Sequence, residues 1–164
     1  MTADTFEQLV SQATVVANFL KQRQDSIALC ESSTGGLIAA ALTAVPGASA
    51  YMVGGAVVYT MDARRALLVN GPRPPQGMRG ATEDFAIWEA QAIREVVGTT
   101  WGIGETGATG PTGNPYGDPA GHGWCAISGP VEVTCHTLTG DSDRTRNMYA
   151  FASAALDTFA AALA

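Results

Sequence analysis

The chain has 164 residues, of which 46% are hydrophobic and 15% charged, which predicts one globular domain over residues 1–164 whose core needs no metal or disulfide. A formal net charge of −6 disfavours nucleic acids and anionic membranes as partners, because both select a basic surface, and favours a small molecule. No apolar run reaches the ~18 residues of a membrane span and the N-terminus lacks the features of a secretory signal, so we expect a cytoplasmic protein.

The first part of the chain predicts a helix, a strand and a second helix. Apolar residues from Phe6 to Leu20 recur with the helical period, and either Asp4 or Thr5 is expected to cap this helix, with Gln8 completing a capping box from Thr5. A short buried strand is predicted over 26–30 and a helix over 34–45. Between them the run Cys-Glu-Ser-Ser-Thr-Gly-Gly places backbone N–H groups and hydroxyls at the positive end of a helix, which predicts a pocket for an anionic group.

The middle of the chain alternates strands, helices and loops. A strand is predicted over 51–59, a short helix over 62–69, and a loop with three prolines over 70–80. Thr82 then caps a helix whose buried stripe consists of Ala86, Ala90, Ile93 and Val97. A third strand is predicted over 101–104. The Gly/Thr/Pro-rich run 105–115 is predicted to be a loop that allows a ligand to approach the backbone closely.

The last part predicts a hairpin and a helix. Strands over 124–127 and 131–138 are joined by a Ser-Gly-Pro turn, and the run Gly140-Asp141-Ser142 caps the final helix. That helix carries Met148, Ala152, Ala155, Phe159 and Leu163 on one face. The order of elements predicts a three-layer α/β sandwich, in which a mixed sheet has helices on both faces.

Hydroxyl residues are the candidate chemical groups. Ser32, Ser33 and Thr34 are either nucleophiles or capping residues, since neither a G-x-S-x-G elbow nor an S-x-x-K pattern is present. Among nine basic residues only Lys21 is a lysine. Cys30, Cys125 and Cys135 are odd in number and lack C-x-x-C spacing, which predicts reduced thiols and no metal site. We expect no cofactor.

Six blocks of the chain follow the order of a known family. They are 31–36 (similar to E-S-C-T-G-G), 45–49 (V-P-G-S-S), 54–59 (G-G-V-V-x-Y), 80–83 (G-A-V-S), 106–113 (T-G-I-A-G-P-x-G), and Gly140-Asp141 with Arg146 (G-D-R-x-x-x-R). Over nearly its whole length the chain thereby resembles the C-terminal domain of the CinA (competence-damage-inducible) proteins. Stand-alone members of that family include bacterial nicotinamide mononucleotide deamidase.

The resemblance implies a Ser/Lys hydrolase that cleaves an amide C–N bond, with Ser32 as the nucleophile. The family's lysine, in Y-S-N-x-A-K, is Arg64 here, and a guanidinium stays protonated and cannot act as a general base. His122 is therefore the candidate base, although an ordinary loop histidine stays an alternative. Tyr59 would relay or orient, and Arg64 would bind a carboxylate or phosphate of the substrate.

The same blocks supply the predicted substrate contacts: Glu31, Ser33, Thr34, Gly35, Gly36, Ser49, Thr106, Gly107, Thr109, Gly110 and Arg146. The N–H groups of 34–36 are expected to hold the oxyanion. In the alternative the domain keeps the pocket without the chemistry, as a small-molecule binding or regulatory module in which Arg64 pairs with Glu31 or Asp62. The resemblance also suggests a homo-oligomer.

Overall fold

Five strands form one mixed sheet in the computed structural model, which describes residues 2–164. In chain order they are β1 (Ile27–Glu31), β2 (Met52–Val57), β3 (Trp101–Ala108), β4 (His122–Ser128) and β5 (Glu132–Leu138). Across the sheet the order is β2-β1-β3-β4-β5. Strand β1 runs parallel to β2 and β3, whereas β4 is antiparallel to β3 and β5. The carboxyl ends of β1, β2 and β3 therefore lie at the same end of the sheet.

Helices cover both faces of this sheet. Residues 2–164 contain α1 (Phe6–Arg23), α2 (Leu37–Ala44), α3 (Met61–Leu67), α4 (Glu83–Val97) and α5 (Arg144–Leu163), with a 3₁₀ turn at Ala48–Ala50. Ile27 and Leu29 pack in the core formed with α1, α2 and α5, whereas Ala28 and Cys30 pack against α4 on the other face. This alternation confirms the predicted three-layer α/β sandwich. No helix within the described range is long and apolar enough to cross a membrane.

Helix α4 lies unusually close to β3 because glycines face it. A Cβ atom at Gly104 would lie 2.5 Å from the backbone nitrogen of Ala90 and 2.9 Å from the Cβ of Glu89, and nearer still to the carbonyl oxygen of Ala86. Side chains at this position are excluded by the helix backbone itself. The close contact brings Glu89 of α4 beside the residue that follows Gly104.

The predicted loop over 105–115 is wrong for its first four residues, because β3 continues to Ala108. The ladder with β4 extends through the pair Gly107 and Gly123. A Cβ at Gly107 would lie 2.8 Å from the Cε2 atom of Phe151 in α5, so glycine is required here by packing. A strand of small residues packed under an aromatic ring is as rich in glycine and threonine as a loop is. Composition alone therefore could not distinguish the two.

Two helix starts also differ from prediction. Helix α2 begins at Leu37 and not at Thr34, because Gly35 and Gly36 adopt positive φ angles of 65° and 97° and form the turn that enters the helix. The N-cap of α5 is Asp143, one residue beyond the predicted Gly-Asp-Ser cap, and its side chain accepts from the backbone N–H of Arg146.

Candidate functional site

An open cavity of about 540 Å³ lies at the carboxyl end of β1 and beside β3. Loops that follow parallel strands meet at this end of an α/β sheet, which is where such folds bind ligands. Six of the predicted site residues line the cavity: Ser32, Ser33, Tyr59, Arg64, Thr106 and Gly107. The structure therefore brings together residues from three separate blocks of the sequence, and Arg64.

Glu31 occupies the N-terminal end of α2 with its own carboxylate. The side chain is 1% exposed, and it accepts hydrogen bonds from the N–H groups of Gly36, Ile38 and Ala39 at 3.1, 3.1 and 2.8 Å. The predicted anion pocket at this helix end is thus filled by the chain itself. Because Gly36 donates to Glu31, its N–H does not serve as the expected oxyanion donor, and Glu31 supports the turn instead of contacting a substrate.

Glu105 is a second buried carboxyl, and it organises the loop that carries the two serines. Its Oε2 atom accepts from the backbone N–H groups of Ser32 and Thr34, at 3.1 and 2.9 Å. The hydroxyl of Ser33 donates to the Oε1 atom of Glu105. The hydroxyl of Ser32 donates instead to the backbone carbonyl oxygen of Glu105, at 3.0 Å. A carboxylate accepts a proton in catalysis, whereas a peptide carbonyl does not.

Thr34 links the two buried acids. Its Oγ1 atom lies 2.7 Å from Oε2 of Glu31 and 2.7 Å from Oε2 of Glu105. A hydroxyl has one proton to donate, so one of the two carboxyls must donate its own proton to Thr34. Burial raises the pKa of Glu31 and the pKa of Glu105, which favours keeping that proton in the pair.

Arg64 lies between the cavity and a third buried acid. Its guanidinium stacks 4.2 Å above the ring of Phe85, and its Nη2 atom is 3.7 Å from Oε1 of Glu89. Neither carboxyl oxygen of Glu89 accepts a hydrogen bond from the described residues, and burial raises its pKa well above the ordinary value. The expected pairing of Arg64 with Glu31 or Asp62 is therefore wrong: Asp62 pairs with Arg65, at 3.2 Å.

His122 bonds to groups other than the serines. Its Nε2 atom lies 2.9 Å from the carbonyl oxygen of Ala81, which requires that nitrogen to carry the proton, and its Nδ1 atom is 3.0 Å from Nε2 of His136. His136 in turn stacks on Trp124, with ring centroids 4.5 Å apart. His122 is not among the described residues that line the cavity. The geometry gives no support to His122 as the base for Ser32, because both ring nitrogens already have partners.

The rim of the cavity contains residues that were not predicted from the sequence to belong to the site. Arg79 bonds to Asp118 at 2.6 Å and lies 5.2 Å from the ring centroid of Tyr116, while Asn114 also donates to Asp118, at 2.8 Å. These contacts join the 70–80 loop to the loop that follows β3. The Arg79 guanidinium lowers the pKa of Asp118 below its usual value. Neither loop carries a sequence signal for this pairing, because the partners are far apart in the chain.

At the wall of the cavity, Tyr59 is held by Arg144, a residue that the sequence analysis did not identify. The hydroxyl of Tyr59 accepts from Nη2 of Arg144, at 2.6 Å, and Arg144 also donates to the carbonyl oxygen of Gly110. Arg146, the expected contact, lies outside the cavity and pairs with Asp141 at 3.5 Å. The first turn of α5 presents these two arginines on different sides of the helix.

Four further predicted contacts lie away from the cavity lining. Ser49 precedes β2, so it lies at the opposite end of the sheet from Ser32, which follows the parallel strand β1. Thr109 and Gly110 use their carbonyl oxygens to hold α5, through Asn147 and Arg144. Gly35 forms the turn before α2. Within residues 2–164, no group of three or more His, Cys, Asp or Glu residues is arranged to hold a metal ion.

Comparisons with known proteins agree with the motif resemblance. A family model described as the CinA C-terminal domain matches residues 9–163. A CinA-like protein of Myxococcus xanthus is 40% identical over 137 residues, which are 82% of this chain and 32% of that protein, and another from Salinibacter ruber is 36% identical over 148 residues, 90% of this chain and 36% of that protein. The chain thus spans about a third of the length of these relatives.

Solved structures show the same fold. The crystal structure of a competence-damaged protein (CinA) superfamily protein from Klebsiella pneumoniae superposes with a TM-score of 0.86 at 25% identity, covering 94% of this chain and 97% of that one.

Proposed function

The chain belongs to the CinA C-terminal domain family, and we propose on this basis that it hydrolyses an amide C–N bond of a small molecule in the cavity beside Ser32 and Ser33. The observation that supports this proposal most is that two serines line one open cavity and that a buried carboxyl, Glu105, lies behind them and accepts from the hydroxyl of Ser33. Hydrolysis of an amide through a serine needs a nucleophile and a group that takes its proton. Both types of group are present at this site without a lysine.

The volume of the cavity and the charge of Arg64 indicate the size and charge of the substrate. The cavity of about 540 Å³ fits a compact small molecule, and Arg64 on its wall supplies a positive charge. We therefore propose a substrate that carries an anionic group as well as an amide, as nicotinamide mononucleotide does. The implied role of Ser32 as nucleophile stays a prediction, because its hydroxyl is bonded to a carbonyl oxygen.

The position of Arg64 also favours a second candidate function. The arginine is held by Phe85 and Glu89, and it cannot take a proton from a serine as the family's lysine would. A domain without an effective base would bind the same small molecule without cleaving it. In that case the protein is a small-molecule binding or regulatory module with an intact cavity.

One experiment separates the two functions. The purified chain is incubated with a panel of amides that includes nicotinamide mononucleotide, and release of ammonia or amine is measured beside calorimetric binding of the same compounds. We expect turnover by the native chain and none by the Ser32→Ala/Ser33→Ala double variant. Binding without turnover would support the binding module, and turnover by the double variant would place the reaction elsewhere.

A further inference from the structure

Two adjacent serines line the same cavity but have acceptors of different chemistry. The hydroxyl of Ser32 points to a peptide carbonyl, and the hydroxyl of Ser33 points to the carboxyl of Glu105. Both side chains are largely buried, at 9% and 5% exposure of the residue, so neither hydroxyl bonds mainly to bulk water. The partner of each hydroxyl therefore decides which serine can lose its proton during an attack.

We propose that Ser33, and not Ser32, is the nucleophile of the amide hydrolysis, and that Glu105 is the general base that takes its proton. This inference rests on the proposed function and assigns its chemical groups. A serine bonded to a carboxylate is the minimal pair for nucleophilic catalysis, and it needs neither the lysine that Arg64 replaces nor a histidine.

The acids behind Ser33 can accept its proton in either of two charge states. Because Thr34 bridges Glu31 and Glu105 with one hydroxyl, the pair holds at least one proton, and in the reactive state that we propose it holds one shared proton and one negative charge. If Glu105 is the anion, it takes the proton of Ser33 directly. If Glu31 is the anion, the shared proton moves from Glu105 through Thr34 to Glu31 as the proton of Ser33 arrives. In both cases the proton enters at Oε1 of Glu105.

The reaction balances without a metal or a redox partner. The oxygen of Ser33 forms a bond to the amide carbonyl carbon while its proton moves to Glu105, and the carbonyl π electrons move to the oxygen. Collapse of this intermediate breaks the C–N bond, and the leaving amine takes the proton from Glu105. Water then attacks the ester on Ser33, gives a proton to Glu105, and releases a carboxylic acid as the proton returns to Ser33.

A donor for the oxyanion is available in the same loop. The N–H of Ser32 and the N–H of Thr34 donate to Glu105, and the N–H of Gly35 donates to the carbonyl oxygen of Ser32. The backbone N–H of Ser33 makes no hydrogen bond to any other residue in 2–164. This N–H group belongs to the proposed nucleophile itself. It is available to donate to the negatively charged oxygen of the tetrahedral intermediate.

The surroundings of Glu105 set the expected pH dependence. The titratable groups facing it are Glu31 and Cys30 on β1, Glu89 on α4 and Cys125 on β4, in addition to the hydroxyls of the loop. Burial raises the pKa of Glu105, and the neighbouring acids oppose a second negative charge. Activity should therefore decline on the acid side at a pH above the ordinary glutamate pKa of about 4.3.

Matched variants test the assignment on an amide that the native chain hydrolyses. Glu105→Gln keeps an amide oxygen for the N–H donors of the loop but removes the base, and it should lower kcat by about 10²- to 10⁴-fold. Ser33→Ala should lower kcat at least as much. Ser32→Ala loses one hydrogen bond to a carbonyl and should lower it by no more than about tenfold. An inactive Ser32→Ala beside an active Ser33→Ala would overturn the proposal.

Labelling the native chain with diisopropyl fluorophosphate gives a second readout that does not need a substrate. Trypsin releases residues 24–64 as one fragment, and fragmentation then assigns the label to one serine. We expect the label on Ser33 and a large loss of labelling in Glu105→Gln at an unchanged melting temperature. A label on Ser32, or on neither serine, would overturn the proposal. A labelled Ser33 in a chain that cleaves no amide would instead reject the proposed function.

Discussion

Replacement of Gly104 by alanine should destabilise the chain by an amount that follows from the contact between α4 and β3. The new Cβ would lie 2.5 Å from the nitrogen of Ala90 and closer still to the carbonyl oxygen of Ala86. Both are backbone atoms of a helix, so the clash cannot be relieved by a side-chain rotation. Overpacking of a core costs about 1–3 kcal/mol, and a clash with backbone should reach the upper end of that range.

The assay for Gly104→Ala is thermal unfolding beside a matched alanine variant. A loss of about 3 kcal/mol lowers the melting temperature by roughly 6–12 °C in a domain of this size. Gly54→Ala is the control, because Gly54 lies in β2 of the same sheet and a Cβ there meets no atom within 4 Å. Equal melting temperatures for the two variants would refute the close packing of α4 on β3.

Other predictions concern the acids and arginines around the cavity. Burial raises the pKa of Glu89, so the folded chain retains a proton that the unfolded chain releases, and the free energy of unfolding falls as pH rises above about 4.3. Glu89→Gln should make that fall shallower in urea titrations from about pH 5 to about pH 7, and an unchanged slope would exclude Glu89 as its source. Arg79→Ala breaks a partly exposed pair with Asp118, so it should change the melting temperature little while proteinase K cleaves within residues 70–80 faster. Unchanged protection of that loop in the variant would contradict its attachment through Arg79. Arg64→Gln removes the positive charge from the cavity wall without adding a base, and it should raise KM for an anionic amide by about tenfold with little change in kcat. An unchanged KM would mean that Arg64 does not touch the substrate.

The main elements of the fold were predictable because the sequence marks them locally. Apolar runs of strand length end at glycine and proline turns, and the capping box at Thr5 is present as expected. Ser32 and Tyr59 share a cavity because they follow parallel neighbouring strands, β1 and β2, whose carboxyl ends meet. Such features depend on residues close in the chain or on strand order alone.

The chemical partners at the site could not be predicted in the same way. Ser33 and Glu105 are 72 positions apart in the chain. They are in contact because β1 pairs with β3 in a register that places the ends of the two strands side by side. The acidic side chain of Glu105 in a run rich in glycine and threonine was indistinguishable from a polar loop residue. Glu89 lies one position from the apolar stripe of α4, which is a weak indication that this acid is buried. Its pairing with Arg64 could not be predicted, because that contact depends on how α3 lies beside α4.

An acyl group transferred from an amide substrate to the chain is the most direct evidence for the reaction. The native chain is mixed with a slowly hydrolysed amide, quenched in acid during turnover, and its mass and fragments are measured. We expect a chain heavier by one acyl group, with that group on Ser33 and absent in Glu105→Gln. Turnover without any acylated chain, or an acyl group on Ser32, would contradict hydrolysis through Ser33 and Glu105.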